Sequence, residues 1–81
     1  MLLIQQVKAA RMLLGWDQSV LAEKAGIGIG TLKRLEAKRG VIGGTMDTAM
    51  RIRSALELGG IVFIAADRRG GVGVRLSKGA G

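Results

Sequence analysis

Cysteine, histidine, proline and tyrosine are all absent from this sequence of 81 residues. Without cysteine the chain can form neither disulfides nor thiolate metal sites. Without histidine it lacks the commonest general base and the commonest metal ligand. The 6 acidic residues are scattered as caps and surface charges, and no two are spaced to share a site. The sequence therefore predicts no metal, no cofactor and no enzymatic activity.

Aromatic residues and long apolar runs are also scarce. Trp16 and Phe63 are the only aromatic residues, and both fall in segments typical of a core. This argues against a surface that stacks single-stranded nucleic acid. The longest apolar run, "IVFIAA" at 61–66, is far shorter than a bilayer span. Gln5 and Lys8 interrupt the apolar N-terminus too soon for a signal peptide, so we expect a cytoplasmic protein without membrane contact.

Positive charge, in contrast, is in excess. The chain has 13 Lys and Arg against 6 Asp and Glu, a formal net charge of +7. So large an excess of one sign on a small body favours a polyanionic partner such as nucleic acid. The alternative is an ordinary soluble surface, since net charges of about this size are common in small domains. A membrane-surface helix would need its basic residues on one strongly amphipathic segment, whereas these are spread along the chain.

Apolar residues at helical spacing predict four helices in the first 58 residues. The predicted helices cover about 4–14, 18–25, 29–38 and 46–58, with Asp17, Gly28 and Thr45 as N-caps and Gly15, Gly26 and Gly40 as stop residues. The apolar stripe of the fourth helix is predicted to contain Met46, Ala49, Ile52 and Leu56, widened by Met50 and Ala55. The pattern indicates a small helical bundle.

The pattern changes after Gly60. "IVFIA" at 61–65 is short and β-branched, and "VGVRL" at 72–76 alternates, so the two segments predict a β-hairpin. The first strand is apolar on both faces and needs cover on both sides. We expect one face to pack on the helices and the other to form a homodimer through residues 61–76. The alternative is a hairpin that only covers the helical core.

The segment "GIGIG" at 26–30 raises the question of a phosphate-binding loop. Such loops follow a strand and precede a helix, so that backbone N–H groups converge on the anion. The segment before Gly26 is helical, and the G-x-G-x-x-G pattern fails because residue 31 is Thr. A turn between two short helices is therefore the better interpretation.

Two short helices joined by a three-residue turn that contains a glycine form a helix-turn-helix. From Gln18 to Leu35 the residues needed for that packing occur in register: Ala22 where the helices meet, Gly26 in the turn, and Ile27, Leu32 and Leu35 between the helices. The stretch "GWDQSVLAEKAGIGIGTLKRLEAKRG" resembles the Cro/repressor-type (XRE-family) helix-turn-helix of phage repressors and many small bacterial regulators. The resemblance covers about residues 4–58.

The resemblance implies a compact bundle of four to five helices that binds double-stranded DNA sequence-specifically, as a dimer and a transcriptional regulator. The helix at about 29–38 would lie in the major groove. The implied DNA-binding residues are Gln18, Ile29, Gly30, Thr31, Lys33, Arg34, Lys38 and Arg39. The resemblance also implies an ion pair between Arg11 and Glu36 that fixes the recognition helix.

Within this set the side chains differ in the chemistry they offer DNA. Arg34 can donate two hydrogen bonds to guanine, while Lys33 donates to guanine or to phosphate. Lys38 and Arg39 are expected to neutralise phosphates, and Gln18 is expected to contact phosphate at a helix start. The family usually carries longer polar side chains at the positions of Ile29 and Gly30, a departure that bears on specificity more than on binding.

The sequence thus predicts three parts: a helix-turn-helix domain at 1–58, a hairpin at 59–76 and a flexible tail at 77–81. The predicted fold class is mainly α, with a C-terminal β-hairpin. An alternative function on the same fold is a protein-interaction module, such as an antitoxin whose hairpin grips a partner and whose DNA binding is secondary.

Overall fold

Capping residues and glycines divide the first part of the chain into four helices. The computed structural model describes residues 2–77. The helices are α1 (Ile4–Leu14), α2 (Gln18–Ala25), α3 (Ile29–Glu36) and α4 (Met46–Leu58). The side chain of Asp17 accepts a hydrogen bond from the backbone of Val20, and that of Thr45 accepts one from Thr48. These bonds satisfy N–H groups that the first turn of a helix leaves free.

The third helix is shorter than predicted. It ends at Glu36, and Lys38, predicted as its last residue, lies in the following turn. The Lys38 N–H bonds the Leu35 carbonyl three residues back, and Gly40 has a φ of 88°. The chain turns early because Gly40 must reach α1, where its carbonyl accepts a hydrogen bond of 2.8 Å from the Ile4 N–H.

Two antiparallel strands, β1 (Ile61–Ile64) and β2 (Gly73–Leu76), follow the helices. Pairing runs from Ile61 with Leu76 to Ile64 with Gly73, so each strand is one residue shorter than predicted. The loop between them is closed by its own contacts, in which the Asp67 N–H bonds the Gly70 carbonyl. The prediction of a mostly helical fold with a C-terminal hairpin is confirmed.

One core joins the helices and the hairpin. Its fully buried large side chains come from α1, α2, α3 and α4: Ile4, Val7, Leu21, Leu32, Ile52 and Leu56. Ile61 of β1 is buried with them, and Phe63 and Val74 pack against the same cluster. The side-chain amide of Gln6 donates to the Gly73 carbonyl at 3.1 Å, which ties α1 to β2.

The apolar stripe predicted for α4 is partly wrong. Ile52, Ala55 and Leu56 face the core, but Met46 and Met50 are 79% and 61% exposed. A helix turns about 100° per residue, so Met50 lies about 160° around the helix from Ile52. The two methionines therefore contribute to the apolar pattern of the sequence but do not pack in the core.

Two further expectations concern membranes and the C-terminal tail. Between residues 2 and 77, no helix combines the length and apolar character that crossing a bilayer requires. Of the predicted tail at 77–81, residues 78–81 lie outside the described residues, while Ser77 donates to the Gly60 carbonyl at 2.7 Å.

Candidate nucleic-acid interface

The turn between α2 and α3 depends on a left-handed glycine. Gly26 ends α2 with φ 68° and ψ 36°, and the next residue, Ile27, donates its N–H to the Ala22 carbonyl at 3.0 Å. A side chain at this φ would be strained, so glycine is the suitable residue. Gly28 then returns to extended geometry, and its carbonyl accepts from the Leu32 N–H at 3.2 Å. Three residues thus connect two eight-residue helices.

The sides of α2 and α3 that face the core are closely packed. Ala22 and Leu32 are 3% and 0% exposed, and Leu35 is also buried. Ile27 is half-buried and packs against the same cluster. The small side chain at Ala22 allows the two helices to approach, so the outward side of α3 is held at a fixed orientation.

Arg11 and Glu36 form the ion pair that the family resemblance implies. Arg11 Nη2 lies 2.7 Å from Glu36 Oε1, and Arg11 Nε donates to Oε2 at 3.0 Å. The Glu36 side chain is 3% exposed. A third donor, Arg11 Nη1, reaches the Trp16 carbonyl at 3.1 Å. The group therefore joins α1, the turn before α2, and the end of α3.

The Gln18 side chain contacts this ion pair and is only partly exposed to solvent. Its Nε2 donates to Glu36 Oε1 at 3.0 Å, and the side chain is half-buried. The neighbouring Asp17 carboxylate already occupies the start of α2, where it accepts from Val20 N–H and from the Ser19 hydroxyl. The predicted phosphate contact of Gln18 stays a prediction, and the amide retains one further N–H for it.

The outward side of α3 carries the predicted base-contacting residues. Lys33 and Arg34 are exposed, Ile29 is 42% exposed, and Thr31 is half-buried. Arg34 Nη2 donates to Thr31 Oγ1 at 3.2 Å. A Cβ at Gly30 would lie 3.8 Å from Arg34 Nη1, so the guanidinium lies back along the first turn of α3, beside Gly30.

Lys38 and Arg39 are exposed in the loop that follows α3. This loop is held to the start of α1 by the Ile4–Gly40 backbone bond and by a 2.9 Å bond from the Gly40 N–H to Gln5 Oε1. Ile42 donates to the Leu2 carbonyl at 2.9 Å. The two cations thus extend from a loop whose backbone is fixed.

None of the described carboxylates forms an ion pair with the exposed cations of α3 or of the loop that follows it. The described ion pairs are Arg11–Glu36 in the interior and Arg51–Asp47 and Arg53–Glu57 on α4. Asp67 accepts from two N–H groups of its own loop. Within residues 2–77, no carboxylate pairs with Lys33, Arg34, Lys38 or Arg39, so this face keeps its positive charge. The same residues contain no acidic cluster that could hold a metal ion.

Sequence reasoning missed two residues, one buried in the core and one beside this face. Gln6 is 5% exposed, accepts from the Leu3 N–H at 3.0 Å and donates to Gly73. Its polar side chain stands among apolar residues three and four positions away, and that spacing was the available signal. Lys8 of α1 lines a groove together with Lys38 and Arg39. No local pattern indicates that grouping, because it depends on how the loop after α3 folds back onto α1.

Comparison with known proteins finds no protein family whose sequence profile matches this chain and no curated protein significantly similar to it. The resemblance to repressor-type proteins therefore rests on the residues quoted above and their spacing.

Proposed function

We propose that this protein binds double-stranded DNA sequence-specifically as a small transcriptional regulator. In this proposal α2 and α3 act as a helix-turn-helix of the Cro/repressor type, with α3 in the major groove. The observation that carries the proposal is a group of four exposed cations on α3 and the loop after it, Lys33, Arg34, Lys38 and Arg39, with no carboxylate partner among the described residues. Three arginines elsewhere, Arg11, Arg51 and Arg53, are each paired with an acid.

The packing beneath these cations supports a rigid recognition surface. The buried Arg11–Glu36 pair holds the end of α3, and the Gly26 turn holds its start. Because base contacts require side chains on a well-oriented element, fixing both ends of α3 favours recognition over loose attraction. A surface that attracts DNA through its charge alone would not need a buried ion pair beneath it.

The chemistry of α3 limits which bases it can distinguish. Arg34 offers two donors for the N7 and O6 acceptors of guanine, and Ile29 offers apolar contact to a thymine methyl. Gly30 contributes no side chain, so the helix backbone can approach the groove floor at that point. Specificity would then rest mainly on Arg34 and on DNA shape.

Selection of bound sequences from random duplex DNA, followed by salt titration, tests the proposal. We expect enrichment of a near-palindrome, and we expect log affinity to fall linearly with log salt concentration. Steep salt dependence without enrichment would mean nonspecific binding. No duplex binding at all would reject the function.

A second candidate, a protein-interaction module, is favoured by the outward side of α4. Met46, Met50 and Leu58 are 79%, 61% and 90% exposed. The three residues are spaced by multiples of four, so they follow a line that winds about 40° around the helix every four residues and places Met46 and Leu58 about 120° apart. A protein partner with an apolar surface would bury this line. Leu58→Lys should abolish such binding and leave duplex binding unchanged, which separates the two candidates.

A further inference from the structure

The groove that contains Lys8 lies between α1 and the loop after α3. We call it the α1 groove; it has a volume of about 510 Å³. Its polar rim includes Gln5, Lys8, Lys38 and Arg39. Glu36 also borders it, but both its oxygens are engaged by Arg11, and one of them also by Gln18. The groove therefore has three exposed cations and one acid whose charge is already balanced.

The groove is continuous with the outward side of α3. Ala37 is exposed and lines the groove. It follows Arg34 by three residues and Lys33 by four, so all three lie on the same side of the helix. A polyanion bound along α3 would therefore meet Ala37 and then the cations of the groove.

The grouping of these cations is fixed by backbone contacts. Leu3 and Val41 form an antiparallel bridge, and Gly40 bonds both Ile4 and Gln5. These contacts hold the loop with Lys38 and Arg39 against the first turns of α1, where Lys8 lies. Little ordering entropy remains to be lost when an anion binds there, because the backbone is already in place.

We propose that the α1 groove binds the phosphate backbone of the same DNA duplex whose major groove receives α3, and that Lys8 is a phosphate-binding residue. This inference rests on the proposed function. It extends the DNA contact from the helix pair and the loop after α3 to α1, an element to which sequence reasoning assigned no DNA contact.

Lys8→Gln compared with Lys24→Gln tests the inference. Both lysines are exposed on helices, but Lys24 lies over the Trp16 ring, 5.2 Å from its centroid, and lines a different groove beside α4. Thermal unfolding first establishes that both variants fold. Affinity for the selected duplex is then measured as a function of salt for the whole chain and both variants.

Log affinity falls as log salt rises, and we expect this fall to be less steep in Lys8→Gln. The slope should be shallower by about 0.9, the value for one phosphate contact. Lys24→Gln should leave the slope unchanged. Ethylation of single phosphates should reveal one whose modification weakens the unaltered protein but not Lys8→Gln. Equal slopes for the two variants, with the unaltered protein still binding duplex, would overturn the inference alone. Failure of the unaltered protein to bind any duplex would overturn the proposed function and the inference with it.

Discussion

Arg11 and Glu36 are joined by two hydrogen bonds of 2.7 and 3.0 Å across 25 residues of sequence. The carboxylate is almost fully buried, and its Oε1 also accepts from Gln18. The pair therefore connects α1 to the last residue of α3 at a point where neither charge has much access to water. Its contribution is best measured by removing one partner.

Arg11→Ala should lower the free energy of unfolding by about 3 kcal/mol, because it leaves the Glu36 carboxylate buried without its cation. Denaturant unfolding measures the change. The matched control is Arg51→Ala, which breaks an ion pair whose side chains are 53% and 75% exposed and should cost less than about 1 kcal/mol. Equal losses in the two variants would contradict a special role for the buried pair.

Gly59→Ala should be destabilising for steric reasons. A Cβ at Gly59 would lie 2.5 and 2.7 Å from two atoms of the Trp16 ring and 3.1 Å from Leu14. Its φ of −75° suits any residue, so the cost arises from overpacking, about 1–3 kcal/mol. Gly43→Ala, whose Cβ would meet nothing within 4 Å, serves as the control. Unfolding followed by Trp16 fluorescence measures both, and similar midpoints would refute the predicted clash.

Asp17 should make stability depend on pH in the acidic range. The Ser19 hydroxyl, followed by the Val20 N–H, lowers the pKa of the Asp17 carboxyl below its ordinary value of 3.8. A group whose pKa is lower in the folded than in the unfolded state stabilises the protein at pH values above its unfolded-state pKa. This contribution is lost as the pH falls through the folded-state pKa. Relative to Asp17→Asn, the unaltered protein should therefore lose its advantage in Tm below about pH 4.

Thr45→Ala is the control for this pH dependence. It removes the uncharged cap of α4, where Thr45 Oγ1 accepts from the Thr48 N–H at 3.1 Å. The resulting loss, about 1 kcal/mol, should be similar at pH 3 and pH 6. A Tm difference between Asp17→Asn and the unaltered protein that stays constant with pH would show that the Asp17 charge contributes nothing.

Arg34 and Lys38 should differ in what their removal does to DNA binding. Arg34→Ala removes a two-donor group from the outward side of α3, so preference at one base pair should relax at a cost of about 1–3 kcal/mol. Lys38→Ala removes a cation in the loop after α3 and should weaken all sequences alike. Binding to the selected duplex and to its single-base variants measures both effects. If the two variants behave identically, the assigned roles are wrong.

Ile64→Lys should weaken self-association if the hairpin forms the expected homodimer. Cross-strand pairing puts Ile61, Phe63 and Val74 on the face toward the helices, so Val62 and Ile64 lie on the opposite face. Ile64 is 39% exposed. A lysine there would put a desolvated charge in a dimer interface, and sedimentation would report dissociation.

Leu58→Lys on α4 is the control for the hairpin dimer. A point substitution is preferable to deleting the hairpin, because deletion would also remove the buried Ile61 from the core. If Leu58→Lys dissociates the protein and Ile64→Lys does not, the interface lies on α4. If the unaltered protein is a monomer, the hairpin only covers the helical core, which is the alternative interpretation of the sequence.

Most helix limits were predictable because their signals are local. Asp17 and Thr45 cap the helices that follow them, and α4 begins and ends where its pattern predicts. A cap acts within three residues, and a left-handed glycine acts at its own position, so neither needs knowledge of distant contacts. Arg11 and Glu36 are far apart in the sequence, so local spacing could not predict that they pair. The family resemblance predicted this ion pair.

Contacts between distant segments were not predictable in the same way. The early end of α3 follows from the attachment of Gly40 to α1, and the exposure of Met50 follows from which side of α4 the other helices cover. The groove beside Lys8 has the same origin. In each case the local sequence allows several outcomes, and packing between elements selects one.

The bond from Gln6 to Gly73 spans 67 residues and has a consequence for synthesis of the chain. Among the described elements, α1 leaves the ribosome before the others, whereas β2, which packs against it, leaves after them. The contacts between α2 and α3 are local and can form early, whereas contacts of high sequence separation form late. The nascent chain would therefore hold a partial helical assembly with one side of α1 uncovered, and its final structure would be reached only after residue 76 has emerged.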